Sequence, residues 1–100
     1  MSGPASPPPA MSGVSAEGRS EELTRIGSSL SQLAEDLSVP RNIRRGAQTA
    51  REQLDKPRAA LDVRIASAVN LLDDLANDPN LPMHGRTAIW SIMSRLESLK

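Results

Sequence analysis

The sequence predicts an all-α protein: a four-helix bundle made of two similar helical hairpins, behind a disordered N-terminal leader. Apolar residues recur at spacings of three and four in successive segments, which is the period of an amphipathic helix. No segment sustains the alternation of apolar and polar residues that a half-buried strand requires, so no β-sheet is expected. Short segments rich in Pro, Asn and Asp separate the helical patterns and indicate short connections.

Residues 1–18 form the predicted leader, and residues 19–100 form one helical bundle domain. The leader consists mainly of Pro, Gly, Ser and Ala, which bury too little apolar surface to offset the entropy lost on ordering. A PxxP-type docking motif around Pro7-Pro8-Pro9 is the alternative interpretation. The remaining domain, about eighty residues long, holds only a modest core.

The first helix is predicted from Ser20 to about Leu37. Ser20 is a suitable N-cap, and Glu21 and Glu22 follow in the first turn, where the helix dipole favours acidic side chains. The apolar stripe of this helix consists of Leu23, Ile26, Leu30, Leu33 and Leu37.

The second helix is predicted to begin at Ser38-Val39-Pro40, with the serine as a cap and the proline in the first turn. It ends at Asp55-Lys56-Pro57, because a proline disfavours helical backbone at the residue before it. Its stripe consists of Ile43, Ala47, Ala50 and Leu54.

The third helix is predicted over residues 58–76 and the fourth over residues 82–98, with a turn-rich loop between them. The stripe of the third helix is wide, so we expect it to be buried on more than one side. The core positions of these two helices are Leu61, Ile65, Ala68, Leu72, Leu75, Ile89, Ile92, Leu96 and Leu99.

The two predicted hairpins also resemble each other. Leu33–Leu37 matches Leu71–Leu75 at an offset of 38 residues, whereas Pro40 matches Pro82 at an offset of 42. The pattern predicts an internal duplication with a four-residue insertion in the later loop. Chance similarity between two amphipathic hairpins is the alternative. A duplication would give the bundle a pseudo-twofold axis.

The composition excludes several classes of function. The chain has no Cys and one His, which removes disulfides, thiolate nucleophiles and His-pair metal sites. Its one aromatic residue cannot form a base-stacking platform. The formal net charge is zero, so no global field attracts nucleic acid or membrane. Without a long apolar run or a signal sequence, we expect a cytoplasmic protein with no membrane partner.

Arginines concentrate on the polar side of the second helix. All of the basic residues except Lys56 and Lys100 are arginine. Arg41 lies in the first turn, where the helix dipole disfavours a cation, and such a violation of a local rule often accompanies function. The guanidinium fork matches phosphate oxygens, which indicates an anion-binding or RNA-binding surface. The candidate contact residues are Arg41, Arg44, Arg45, Arg51 and, in the second hairpin, Arg86.

Two interpretations of this cluster remain open. The guanidinium groups could pair with Glu35, Asp36 or Glu52 on a solvated face that has only a structural role. Alternatively, they bind the phosphate backbone of RNA without reading its sequence. Such binding is weak and salt-sensitive, with typical dissociation constants of roughly 10⁻⁴ to 10⁻⁶ M.

No group of residues specifies a catalytic site. Glu35-Asp36 and Asp73-Asp74 are adjacent carboxylate pairs, and adjacent helical residues point in different directions, so neither pair makes a catalytic dyad. A divalent cation between the hairpins is the alternative. His84 has no neighbouring nucleophile in sequence, and we expect it to pack or to cap. We therefore predict no catalytic residue, cofactor, metal or small-molecule substrate.

Trp90 and Met93 lie beside the apolar stripe of the fourth helix. Either they extend the core or they form a docking face, since Trp and Met are enriched where proteins meet. A second apolar stripe in so small a protein favours self-association. The candidate protein interface is therefore Trp90 and Met93, and its partner is another protein or a second copy of the chain.

Two segments, SVPRNIRRGA at residues 38–47 and LLDDLANDPNLPMHGRTAIWSIMSRLE at residues 71–97, closely resemble uncharacterised protein family 0147, a family of small archaeal proteins. The resemblance spans roughly residues 21–98. The family usually has Ala where this chain has Gly46 and Gly85, and these departures should soften two helix starts. The resemblance implies a compact helical bundle in an archaeal cytoplasm, and it implies no activity, cofactor or catalytic residue.

From these patterns we predict a non-enzymatic interaction module that binds a protein partner or itself through its arginine cluster and its Trp90/Met93 face. One alternative is an RNA- or ribosome-associated accessory protein that uses the arginines at 41–51. The other is a metal-dependent enzyme, whose ion would need carboxylates from Glu35, Asp36, Asp73 or Asp74.

Overall fold

Four helices form a ring in which each packs against two neighbours. The computed structural model describes residues 16–99, and every regular element in this range is an α-helix. In chain order the helices are α1 Ala16–Ala34, α2 Arg41–Leu54, α3 Leu61–Ala76 and α4 Met83–Glu97. Both α1 and α3 pack against α2 and α4, and within the described range neither diagonal pair is in contact. The predicted four-helix bundle is confirmed.

The first helix differs from its prediction at both ends. It begins at Ala16 rather than Ser20, so only residues 16–18 of the predicted leader are described, and they are helical; residues 1–15 lie outside the described residues. It ends at Ala34, and Leu37 lies in the following loop with 83% of its surface exposed. The prediction of Leu37 as a core residue is wrong, because the apolar period continues one turn beyond the last helical residue.

Proline, rather than serine, begins the second helix. The N-cap of α2 is Pro40, with φ −58° and ψ 154° and no side-chain capping hydrogen bond. The proline ring itself holds φ near the value that this extended residue needs. Ser38 instead directs its hydroxyl toward Asp36 and His84, so its predicted capping role is wrong. Pro82 occupies the equivalent N-cap of α4.

The core is apolar throughout, since no polar or charged residue among those described is buried. Burial of a large aliphatic side chain contributes about 1.5–3 kcal/mol, so the fully buried residues account for most of the stability. No described helix is long and apolar enough to cross a membrane. The largest fully buried side chains are Ile26, Leu30, Ile43, Ile65, Leu72, Ile89 and Leu96.

Two glycines allow leucines to pack against helix backbone. A Cβ atom on Gly46 of α2 would lie 2.5 Å from Cδ1 of Leu75, and one on Gly85 of α4 would lie 2.8 Å from Cδ1 of Leu81. Both distances are shorter than van der Waals contact, so alanine at either position requires the leucine to move. Both glycines lie inside helices that begin at Arg41 and Met83. In this chain they make room for the two leucines.

The two hairpins correspond at one constant offset of 42 residues. This offset relates the end of α1, Ala34, to the end of α3, Ala76, and the start of α2, Arg41, to the start of α4, Met83. The two loops therefore have equal length, and the predicted four-residue insertion is wrong. A shift of four residues is about one helical turn and leaves the leucines on the same face, so the pattern alone cannot distinguish the two alignments.

Candidate anion-binding surface

Three arginines of α2 surround one hollow on the surface of the bundle. The hollow lies between the C-terminal end of α1 and the first turns of α2, and its volume is about 300 Å³. Arg41 and Arg45 are exposed, whereas Arg44 is half-buried. We call Arg41, Arg44, Arg45 and Gln48 the arginine face. The residues that complete the lining are Ser31, Ala34 and Glu35.

The three arginines have no acidic partner among the described residues. No carboxylate in residues 16–99 lies within ion-pairing distance of Arg41, Arg44 or Arg45, and these guanidinium groups donate no hydrogen bond within that range. Two of the three predicted partners are engaged otherwise, since Glu52 accepts a hydrogen bond from Gln48 at 3.4 Å and Asp36 accepts from Ser38. The ion-paired interpretation therefore does not describe Arg41, Arg44 and Arg45 within residues 16–99.

Arg51 stands apart from this group. It lies toward the C-terminal end of α2, where its guanidinium donates to Ser31 Oγ and approaches the Asp55 carboxylate at 3.7 Å. The same guanidinium lies beside Gly27 of α1. Arg51 therefore ties α2 to α1 and does not line the hollow.

Arg86 is the counterpart of Arg44 in the second hairpin. Unlike Arg44, and like Arg51, it has intramolecular partners. Its Nε donates to the carbonyl oxygen of Ala76 and its Nη2 to that of Asp78, each at 3.1 Å. Cations at this position satisfy the last carbonyl groups of a helix and oppose its negative dipole end. The structure thus brings together Arg41, Arg44 and Arg45, and places Arg86 elsewhere.

Local charge at the arginine face is positive although the chain is neutral. The helix α2 contains four arginines and one acid, Glu52, and has no acid in its first turn. Its first N–H groups have no intrahelical acceptor and no side-chain cap, and the helix dipole adds positive potential at this end. α3 has the opposite bias, with Asp62, Asp73 and Asp74 against Arg64. The neutral total therefore conceals a polarised surface.

Asp36, Ser38 and His84 form a polar cluster that joins the hairpins. Ser38 Oγ lies 2.5 Å from Asp36 Oδ1 and 2.8 Å from His84 Nε2, and the same Nε2 lies 3.3 Å from Asp36 Oδ2. In a catalytic triad the serine and the carboxylate contact opposite ring nitrogens, whereas here both contact Nε2. The hydrogen bonds from Ser38 lower the pKa of Asp36. The geometry is that of a loop anchor.

The equivalent cluster in the other half contains Asp78, Asn80 and Asn42. Asn42 Nδ2 donates to Asp78 Oδ2 at 2.6 Å, and the backbone N–H of Asn80 donates to Asp78 Oδ1 at 2.8 Å. These bonds, that of Asn42 first, lower the pKa of Asp78. The offset of 42 residues relates Asp36 to Asp78 and Asn42 to His84, so each loop aspartate contacts the helix start of the opposite hairpin. These reciprocal contacts are those of a pseudo-twofold arrangement.

The paired carboxylates do not converge. Asp73 and Asp74 are exposed on α3, whereas Asp36 lies in the loop after α1. Among residues 16–99, no group of three or more His, Asp or Glu residues is arranged to hold a metal ion.

The Trp90/Met93 pair divides between core and surface. Met93 is partly buried and packs against the core, whereas Trp90 is 54% exposed. Met83 is 65% exposed and lies seven residues before Trp90, which places both on one side of α4. Met83 was not among the predicted interface residues, although its spacing of seven residues from Trp90 is visible in the sequence.

Family comparison supports the resemblance seen in the sequence. The chain matches the model of the Uncharacterised protein family (UPF0147) over residues 11–99, a range that begins ten residues earlier than expected. A UPF0147 protein of Methanothermobacter thermautotrophicus is 44% identical over 80 residues, which cover 80% of this chain and 78% of that protein. One from Methanosarcina mazei is 40% identical over 86 residues, which cover 86% of this chain and 92% of that protein.

Two solved structures share the fold. A crystal structure of a UPF0147 protein from Thermoplasma acidophilum has a TM-score of 0.79 at 38% identity, and the match covers 82% of this chain and 96% of that one. A second crystal structure, of a protein of unknown function, also has a TM-score of 0.79 at 46% identity, with coverage of 81% and 92%. None of these names carries an activity or a partner.

Proposed function

The chain belongs to the uncharacterised protein family UPF0147, and we propose that it is a non-enzymatic, cytoplasmic binding module that contacts the phosphate backbone of RNA through its arginine face. The observation that carries this proposal is the set of three guanidinium groups around one hollow, none of which has an acidic partner in residues 16–99. The three guanidinium groups lie together, and a cluster of like charges is unfavourable unless an anion offsets their mutual repulsion. These arginines are available to an external anion.

The expected binding is weak and independent of sequence. Three phosphate contacts place it in the usual non-specific range, with a dissociation constant of roughly 10⁻⁴ to 10⁻⁶ M at physiological salt. The arginine face contains no aromatic side chain, and the chain's one tryptophan, Trp90, lies on α4. Base stacking therefore adds nothing at this surface, and the contacts stabilise backbone rather than select bases.

A charge reversal tests the proposal directly. Arg44→Glu together with Arg45→Glu should weaken binding to a labelled single-stranded RNA by at least about tenfold at low salt, because two attractive contacts become repulsive. Fluorescence anisotropy measures the affinity, and circular dichroism checks that helicity is retained. Neither arginine side chain makes a hydrogen bond or ion pair within residues 16–99, so the variant should stay folded.

The matched control changes the same amount of charge elsewhere. Lys56 and Arg58 are both exposed in the loop between α2 and α3, and neither has an ion-pairing partner in residues 16–99. Reversing both to Glu should reduce RNA affinity by much less than the change on the arginine face. Equal losses in the two variants would show a diffuse charge effect, and unchanged binding in the first variant would remove the proposal.

Self-association is a second candidate function, favoured by the exposure of Trp90 and Met83 on one side of α4. Exposed Trp and Met side chains are enriched at protein interfaces. If this surface joins two copies, light scattering at high protein concentration should report a dimer or a larger species. Trp90→Ala should then shift the population to monomer, whereas Leu37→Ala, which removes an exposed leucine of the α1–α2 loop, should not. A wild-type monomer at high concentration would exclude this function.

A further inference from the structure

One arginine recurs at a fixed distance after three of the helices. Each loop between helices is six residues long, at 35–40, 55–60 and 77–82. In each case an arginine follows ten residues after the last residue of the preceding helix. These pairs are Ala34 with Arg44, Leu54 with Arg64, and Ala76 with Arg86.

In two of the three copies, the arginine caps the helix that precedes it. Arg64 Nη1 donates to the carbonyl oxygen of Leu54 at 2.8 Å, and Arg86 Nε donates to that of Ala76 at 3.1 Å. These are the terminal residues of α2 and α3, whose last carbonyl groups have no intrahelical donor. The repeated arginine therefore has a structural task at those loops.

Arg44 does not perform this task. It lines the same hollow as Ala34, yet it donates no hydrogen bond to Ala34 or to any other described residue. Its Nε is buried without an acceptor. A buried donor without a partner costs about 1–3 kcal/mol. The Nε is covered, so an anion in the hollow would meet the terminal nitrogens of this guanidinium, which donate to no described residue. The Nε atoms of Arg19 and Arg64 also lack a described acceptor. What distinguishes Arg44 from Arg64 is the missing cap bond, since the Arg64 guanidinium is held through Nη1.

We propose that the hollow between α1 and α2 is a binding site for one phosphate group, held from its floor by the Arg44 fork, with Arg41 and Arg45 at the rim. This inference rests on the proposed function and identifies the part of the RNA that the site accepts, a single backbone phosphate. A volume of about 300 Å³ accommodates a phosphate group and water. Diffuse attraction to a charged helix would not need any one arginine more than another.

The remaining lining residues fit this assignment. Ser31 Oγ already accepts a hydrogen bond from Arg51, so its own O–H is available to donate to a phosphate oxygen. Gln48 provides an amide donor at the same surface. Glu35 is the one carboxylate in the lining, and it opposes an anion there. Removal of the Glu35 charge should therefore strengthen phosphate binding.

Conservative substitutions distinguish a defined site from general attraction. Lysine keeps the charge of arginine but loses the two-donor fork, so Arg44→Lys should weaken binding of the labelled RNA by about tenfold. Arg45→Lys, at the exposed rim, should weaken it by no more than about twofold. Glu35→Gln should tighten it by a few fold. Equal effects of the two lysine variants would overturn the assignment of Arg44, even if RNA binding itself is established by the charge reversal.

Arginine side-chain NMR provides an independent test with inorganic phosphate alone. Titration of phosphate at constant ionic strength should shift the Nε–Hε resonance of Arg44 and leave that of Arg64 unchanged, and chloride should shift neither. A shift of Arg44 without measurable RNA affinity would keep the phosphate site and remove the proposed function. No shift of Arg44 with phosphate, together with none on addition of RNA, would overturn the site.

Discussion

Leu30→Ala should lower the free energy of unfolding by about 2–5 kcal/mol, whereas Leu37→Ala should change it by less than about 0.5 kcal/mol. Both leucines belong to the apolar stripe that the sequence predicts for the first helix. The structure buries Leu30 completely and leaves Leu37 83% exposed beyond the helix end. Truncation leaves a cavity at Leu30, while at Leu37 it removes a side chain that water already surrounds.

Urea denaturation followed by circular dichroism at 222 nm measures both values. A loss of more than about 1.5 kcal/mol for Leu37→Ala would show that α1 continues past Ala34 and that the offset of 42 residues between the hairpins is incorrect. A small effect at Leu30 would contradict the position of that residue in the core.

Arg86→Met should destabilise the protein by about 1–3 kcal/mol, whereas Arg44→Met should not destabilise it, since it also removes a buried donor that has no described acceptor. Methionine retains much of the aliphatic stem and removes all of the donors. Arg86 donates to two carbonyl groups at the end of α3, and its loss leaves them without that partner. Arg44 occupies the equivalent position in α2 without such bonds, so its replacement removes no intramolecular hydrogen bond among residues 16–99.

The same denaturation experiment compares the two variants. Equal destabilisation by Arg44→Met and Arg86→Met would show that Arg44 also caps its preceding helix in solution. The arginine face would then lose the residue on which the phosphate site depends. A clear difference between the variants would show that Arg44 is available for a ligand.

The sequence pattern was sufficient for the fold because the core is regular. Buried residues such as Ile26, Ile43, Ile65 and Ile89 all fall on the predicted stripes. The helix ends could not be predicted as well, since the apolar period does not show where the backbone hydrogen bonds of a helix stop. Leu37 continues the period of α1 although its backbone has left the helix. Proline position located the start of α2 to within two residues and that of α4 to within one.

The residues of the arginine face could be predicted from the sequence, but whether they form ion pairs could not. Arg41, Arg44 and Arg45 were evident as a cluster, and whether Glu35 or Glu52 neutralises them depends on side-chain geometry that the sequence does not contain. The recurrence of arginine ten residues after each helix end becomes visible only when those ends are known. Ser31 could not be assigned to the hollow from the sequence, because only the packing of α1 against α2 places it in the lining.

The salt dependence of RNA binding tests the central proposal most directly. For three phosphate contacts to a single strand, the slope of the logarithm of the binding constant against that of the salt concentration should be about −2. Arg44→Glu together with Arg45→Glu should make the slope shallower than about −1. The reversal of Lys56 and Arg58 should leave the slope close to that of the wild type. A wild-type slope near zero, or one that the arginine-face variant does not change, would contradict phosphate binding at this surface.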